Sequence, residues 1–313
     1  MALVTLRELS KDLSLKVIAG EKGLKKTIKI PEVNRASLIL TGYTKHFEEA
    51  CRYIQVLGNT ELSYLQTLSP STRKKRVFKL TQYPVPCFIL TRGLLPPPEL
   101  VERCNSKNIP LFSTPLSTNT FIVKLVIYLE DRFAPEITVP GVLVDVFGSG
   151  ILIQGESGVG KSECALELIE RGHRLVADDL VKIKRKPGNI LQGSPAGPLR
   201  FHMEVRGLGI IDVLSLFGIG AVRNQKHIDF LAELVEWDPK KEYDRTGTKE
   251  EKITILGVEL PKITIPIRPG RNLAVILETA AMNQRLKRAG YHTSEEFNQK
   301  LKQELLRKRR NKK

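Results

Sequence analysis

The chain has 313 residues, 41% of them hydrophobic and 27% charged, with a formal charge of +16 at pH 7. That length predicts about two domains, each able to bury a core. No apolar run approaches the roughly 18 residues needed to span a bilayer, and the N-terminus lacks the pattern of a secretory leader. Cys51, Cys87, Cys104 and Cys164 stand apart without a C-x-x-C pair, and the five histidines show no metal-ligand spacing. These cysteines read as buried thiols, not as a disulfide framework or a zinc site. The expectations are therefore a cytoplasmic protein, no membrane partner and no transition metal.

From the N-terminus to about residue 130, strand-like and helix-like stretches alternate: Thr27 to Ile30, Leu38 to Leu40, Phe47 to Leu57, Cys87 to Leu90 and Leu100 to Cys104. Pro96, Pro97 and Pro98 predict a helix start near Glu99. Phe121 to Leu129 predicts a helix that closes the domain, with Asp131 to Pro135 as the start of a linker over 131–139. No catalytic constellation falls in 1–130, which reads as a small α/β domain of structural or regulatory role.

Residues 140–313 carry the chemistry. Val142 to Val146 and Ile151 to Ile153 are strand-type runs, and Gly155, Glu156, Ser157, Gly158, Val159, Gly160, Lys161 and Ser162 follow as G-x-x-x-x-G-K-[ST]. Gly155 and Gly160 let successive N–H groups turn toward one set of phosphate oxygens. Lys161 adds a point charge, and the Ser162 hydroxyl can ligate Mg²⁺. Ala165, Leu166, Leu168 and Ile169 then recur at helical spacing up to Gly172, a C-cap. Strand, glycine loop and helix N-terminus together predict a nucleoside triphosphate or other polyphosphate ligand.

His173 to Asp179 reads as a short strand ending in two acids, Asp178 and Asp179, of which only one should face the phosphates. Such a position suits the metal-binding or base group of phosphoryl transfer. Met203 to Val213 contains Glu204 and Arg206 on one face of an extended chain beside two glycines. By itself that is a surface pair next to a turn. Arg245 lies in a polar loop, and Pro266, Ile267, Arg268, Pro269, Gly270 and Arg271 present two guanidiniums in a stiff loop suited to oxyanions. From Lys300 to Lys313 there are eight Lys or Arg and one acid, Glu304. Without interleaved aromatics this tail reads first as a solvated helix end, then as a dock for an acidic protein, and only third as a nucleic-acid contact.

Taken together, these stretches resemble the HPr kinase/phosphorylase family. The resemblance rests on Gly155 to Ser162, Ala165 to Asp179, Glu204 to Ile211 and Arg268 to Val275. It implies two domains, a small α/β N-terminal domain and a C-terminal P-loop kinase domain ending in a basic helix. The implied enzyme phosphorylates a serine of the phosphocarrier HPr with Mg-ATP, or with pyrophosphate as donor, in carbon catabolite regulation through the sugar phosphotransferase system. It also removes the phosphate by phosphorolysis, releasing pyrophosphate. Position by position, Lys161 and the loop amides would hold the phosphates, while Ser162 and Glu204 would hold Mg²⁺. Asp179 would accept the seryl proton and return it, and Arg245 would stabilise the transferring group. Pro266 to Arg271 would serve dephosphorylation, and the chain would assemble as a homohexamer.

One position departs from the family pattern. A histidine counted among its catalytic residues is replaced by Pro140, which offers no titratable group. This opens a second reading, a nucleotide-binding regulator with reduced or one-directional activity. A small-molecule kinase on a related scaffold is a third.

Overall fold

The computed structural model describes residues 4–43, 47–197, 200–243, 250–268 and 270–291. The chain divides into two units, Met1–Ala134 and Pro135–Lys313. In the first, a five-stranded sheet has the order Lys16–Ala19, Leu111–Ser113, Phe88–Leu90, Ile54–Leu57, Val33–Arg35, with only the first pairing antiparallel. Parallel strands need helical crossovers, so both faces are covered, and the central strands Ile54–Leu57 and Phe88–Leu90 are buried along their whole length. Alternation along each strand decides which side a residue serves. Phe88 and Leu90 pack with Leu62, Leu65, Val77 and Leu80, whereas Ile89 packs with Leu6, Leu9, Phe121 and Leu125.

The helix Pro98–Lys107 begins with its proline in the first turn, one residue before the predicted start. Thr118–Phe133 is a single helix whose N-cap Ser117 accepts from the Thr120 amide. Its last turn runs through Asp131–Phe133, where a linker was expected, and Glu136–Pro140 is a strand. Tyr128 and Arg132 both donate to Asp12, at 3.0 and 2.7 Å, and these contacts extend the helix beyond its apolar stripe.

The second unit is built on a six-stranded sheet of order Arg174–Ala177, Val142–Val146, Ser149–Gly155, Phe230–Glu236, Val258–Ile267, Glu251–Ile255. Its three central strands, from Ser149–Gly155 to Val258–Ile267, run parallel. Val142, Val144, Ile151 and Ile153 face the helices Lys161–Glu170 and Leu273–Arg288. Leu143 and Leu152 face the opposite way, toward Val181, Ile183 and Leu191 of a four-stranded antiparallel sheet. Helices, central sheet and second sheet thus form three layers, and the phosphate-loop strand is buried in the middle one. No described helix is long and apolar enough to cross a membrane.

Candidate active site

The strand Ser149–Gly155 leads into the phosphate loop, and the helix Lys161–Glu170 leads out of it. Gly155 must be glycine because a Cβ there would lie 2.4 Å from the Leu234 carbonyl oxygen of the neighbouring parallel strand. Gly160 takes the N-cap position at φ 94, and among the described residues no side chain caps the helix. Its first amides are left to an anion, the arrangement a phosphate site requires. The far end closes as the sequence suggests. Gly172 has φ 92, its amide reaches the Ile169 carbonyl, and the His173 amide reaches Leu168.

Lys161 Nζ donates to the carbonyls of Gly155 and Glu156, at 3.1 and 2.8 Å, so its ammonium spans the loop. Ser162 Oγ donates to both Asp178 oxygens, at 3.1 and 3.2 Å. Burial pushes the Asp178 carboxyl up to about 6, and neighbouring Asp179 adds to the effect. The Ser162 hydroxyl and the amides of Asp179 and Glu204 oppose it. Those contacts bring Ser162, Asp178 and residue 204 together.

The two acids differ in position, though not through the strand pleat expected from sequence. The strand stops at Ala177, and Asp179 sits on a turn at φ 61 with its side chain exposed. Its carbonyl accepts from the Gly141 amide at 2.9 Å. Pro140 ends the adjoining strand, pairs with Leu180, and accepts from Gln154 Nε2 at 2.9 Å. Position 140 therefore lies beside the Asp179 turn.

The hairpin His202–Val205 with Gly209–Asp212 buries Met203 and Val205 and exposes Glu204. Arg206, just past the strand, lies against the phosphate loop: a Cβ on Gly158 would come within 2.6 Å of its Nη2. The expected sharing of one strand face by Glu204 and Arg206 is replaced by a turn that aims the guanidinium at the loop.

Pro266 and Ile267 finish a strand and pair with Val235 and Glu236. Arg271 donates to the Pro266 carbonyl at 3.2 Å, and Asn272 caps the next helix while donating to Glu167 of the phosphate-loop helix. Arg268 lies over the Trp237 ring, its Cζ 3.2 Å from the centroid. Arg245, Pro269 and the basic tail lie outside the described residues. Asp178, one of the two acids read as a candidate, is the one on the Ser162 hydroxyl. Arg206, against the loop, and Trp237 carry no site role in the sequence reading, because a turn places the one and strand register the other.

The side-chain donors the structure brings together here, the Ser162 hydroxyl and the Asp178 carboxylate, are oxygen and suit Mg²⁺ rather than a soft metal, while residue 204 reaches Asp178 through its main-chain amide and its carboxylate is exposed. A strand, an uncapped glycine loop, a lysine across it and a carboxylate on its serine define a phosphate-loop nucleotide site of phosphotransferase type. The family model described as HPr Serine kinase C-terminal domain matches residues 131–301, and the one described as HPr Serine kinase N terminus matches 4–129. The chain belongs to the HPr kinase/phosphorylase family. It is 49% identical over 289 residues to the HPr kinase/phosphorylase of Geobacter sulfurreducens, covering 92% of this chain and 90% of that one. To the HPr kinase/phosphorylase of Geobacillus kaustophilus it is 46% identical over 301 residues, with 96% of each chain covered. The solved structure of the Hpr(Ser) kinase/phosphatase from Coxiella burnetii is 40% identical, covers 51% of this chain and 98% of that one, and has a TM-score of 0.46.

Proposed function

We propose that this chain is a protein serine kinase/phosphorylase that transfers phosphate from ATP to a serine of HPr and removes it by phosphorolysis. The observation that carries the reading is the phosphate loop with Lys161 across it and the Asp178–Asp179 turn beside Ser162, in a chain that matches both family domains. The reading as a nucleotide-binding regulator with reduced or one-directional activity finds no support: relatives matched over nine-tenths of their length are named for the enzyme.

Lys161 and the loop amides bind the phosphates, and Arg206 adds charge from the hairpin. Ser162 and Glu204 are the residues that would hold Mg²⁺, with Asp178 behind the serine. When bound, the metal supplies charge neutralisation on the phosphate oxygens. Asp179, exposed at the turn, accepts the seryl proton as the hydroxyl attacks. In reverse, an oxygen of inorganic phosphate bonds to the phosphoserine phosphorus and the bond to the serine oxygen breaks. That oxygen keeps the electron pair and takes a proton from Asp179, so serine and pyrophosphate leave. Arg245 stabilises the transferring group, and the Pro266 to Arg271 loop serves dephosphorylation.

Cytoplasmic residence and assembly as a homohexamer belong to the same reading. Leu208, Ile210, Leu216 and Ile219, each at least 63% exposed, support a covered surface in the assembly. The test is incubation of the purified chain with labelled Mg-ATP and HPr, followed by phosphate. Label on a serine and later release of pyrophosphate are expected; a folded chain that binds ATP yet labels no serine would refute the proposal. A Pro140→His variant measures what that position contributes beside Asp179.

A further inference from the structure

Trp237 is the single tryptophan of the chain. It directly follows Glu236, and Arg268 directly follows Ile267; the parallel register pairs Glu236 with Ile267. The two side chains leave the same end of the sheet as the phosphate loop, since Gly155 pairs with Leu234 one strand over. Carboxyl ends of parallel strands are where open α/β sheets bind ligands. Neighbouring strands lie about 5 Å apart, so Arg268 emerges two strands, roughly 10 Å, from the loop.

The Arg268 guanidinium rests on the indole, with Cζ 3.2 Å from the ring centroid. Tyr243 stacks on the same indole at 4.8 Å and 27°. Its hydroxyl accepts from the Asp238 amide at 3.0 Å and donates to the Glu236 carbonyl at 3.4 Å, which fixes the turn. An open cavity of about 640 Å³ is lined by Glu236, Trp237, Ile267 and Arg268. Among the described residues the Arg268 side chain makes no hydrogen bond or ion pair. A guanidinium held by its face keeps its in-plane N–H groups pointing outward, the edge that binds an oxyanion in a bidentate way. Stacking therefore prepares the cation before any anion arrives.

We propose that Trp237 is a positioning residue for phosphorolysis: its indole holds Arg268 so that the guanidinium edge at this cavity captures inorganic phosphate on its way to the phosphate loop, where it attacks. This rests on the reading of Pro266 to Arg271 as the dephosphorylation loop. Trp237 touches neither substrate nor the reacting phosphorus; it acts through Arg268.

The full-length chain is assayed in both directions as Trp237→Leu, Trp237→Phe, Arg268→Gln and the double variant Trp237→Leu/Arg268→Gln. Trp237→Leu should raise the KM for inorganic phosphate about tenfold and lower the phosphorolysis-to-kinase ratio, on the scale of a cation–π contact. Trp237→Phe should restore most of both, because a benzene face remains. The double variant should be no worse than Arg268→Gln alone, as befits residues acting as one unit. An unchanged phosphate KM in Trp237→Leu, additive losses in the double variant, or equal losses in both directions would overturn the role of Trp237. Full phosphorolysis by Arg268→Gln would instead remove the loop reading itself, and the proposal with it.

Discussion

The Ser162 hydroxyl donates to both carboxylate oxygens of Asp178, at 3.1 and 3.2 Å, so the hydroxyl that closes the phosphate-loop motif is held by an acid sixteen residues away. Burial and Asp179 raise that acid from 3.8 to about 6. The folded state therefore holds the proton more tightly than the unfolded state does. The cost of ionising Asp178 is absent below about pH 4, grows as pH rises through 6, and is complete above it. Without nucleotide, Asp178→Asn should be more stable than the parent at pH 8 by about 1–3 kcal/mol, with the gain vanishing near pH 4. Urea melts across that range check this; a gain independent of pH would contradict it.

Lys161 spans the loop between the Gly155 and Glu156 carbonyls. Lys161→Ala removes the charge meant for the outer phosphates and should lower phosphoryl transfer by about 10³-fold, with Mg-ATP affinity falling in parallel. Calorimetric titration decides, and undiminished affinity would remove the phosphate-loop reading.

Gly158 has φ 84, and a Cβ there would meet Arg206 Nη2 at 2.6 Å. Gly158→Ala should lose about 1–2 kcal/mol of stability from the left-handed backbone, and ATP affinity should drop because Arg206 is displaced. Thermal melts and nucleotide titration report the two effects separately. A variant with parental stability and affinity would show that neither constraint operates.

Glu278 accepts from Arg171 Nε and Nη2 at 2.9 and 2.6 Å, and lies 2.9 Å from His173 Nε2. Arg171 holds its carboxyl down to about 2, with His173 adding to the effect. The stability it contributes is present above about pH 4.5 and lost as pH falls toward 2. Glu278→Gln should cost about 1–2 kcal/mol at pH 7, discounted because Arg171 is partly exposed. The difference from the parent should close in acid, and denaturation at pH 7, 4 and 3 tests the slope.

Asp179 stands exposed on its turn while Asp178 is tied to Ser162. Asp179→Asn should slow both directions by about 10²–10⁴-fold, since one group serves as base one way and acid the other, with ATP binding retained. A loss confined to one direction would assign the proton to a different group.

The sequence by itself determined what local sterics control. The glycine spacing from Gly155 to Gly160, the apolar strand before it and the helical period up to Gly172 fix strand, loop and helix without help from distant residues. The first domain was legible in part: the proline start at Pro98 is a short-range signal, but the helices Asn59–Thr67 and Pro70–Thr81 and the strand Leu111–Ser113 went unread. Only the tertiary structure decided which acid reaches Ser162, because the chain leaves the strand at Ala177 and Asp179 turns to φ 61. It alone brought Arg206 onto Gly158 and Trp237 under Arg268. Those contacts join segments 31 to 48 positions apart, and they are set by strand register and core packing, which no neighbouring residue encodes.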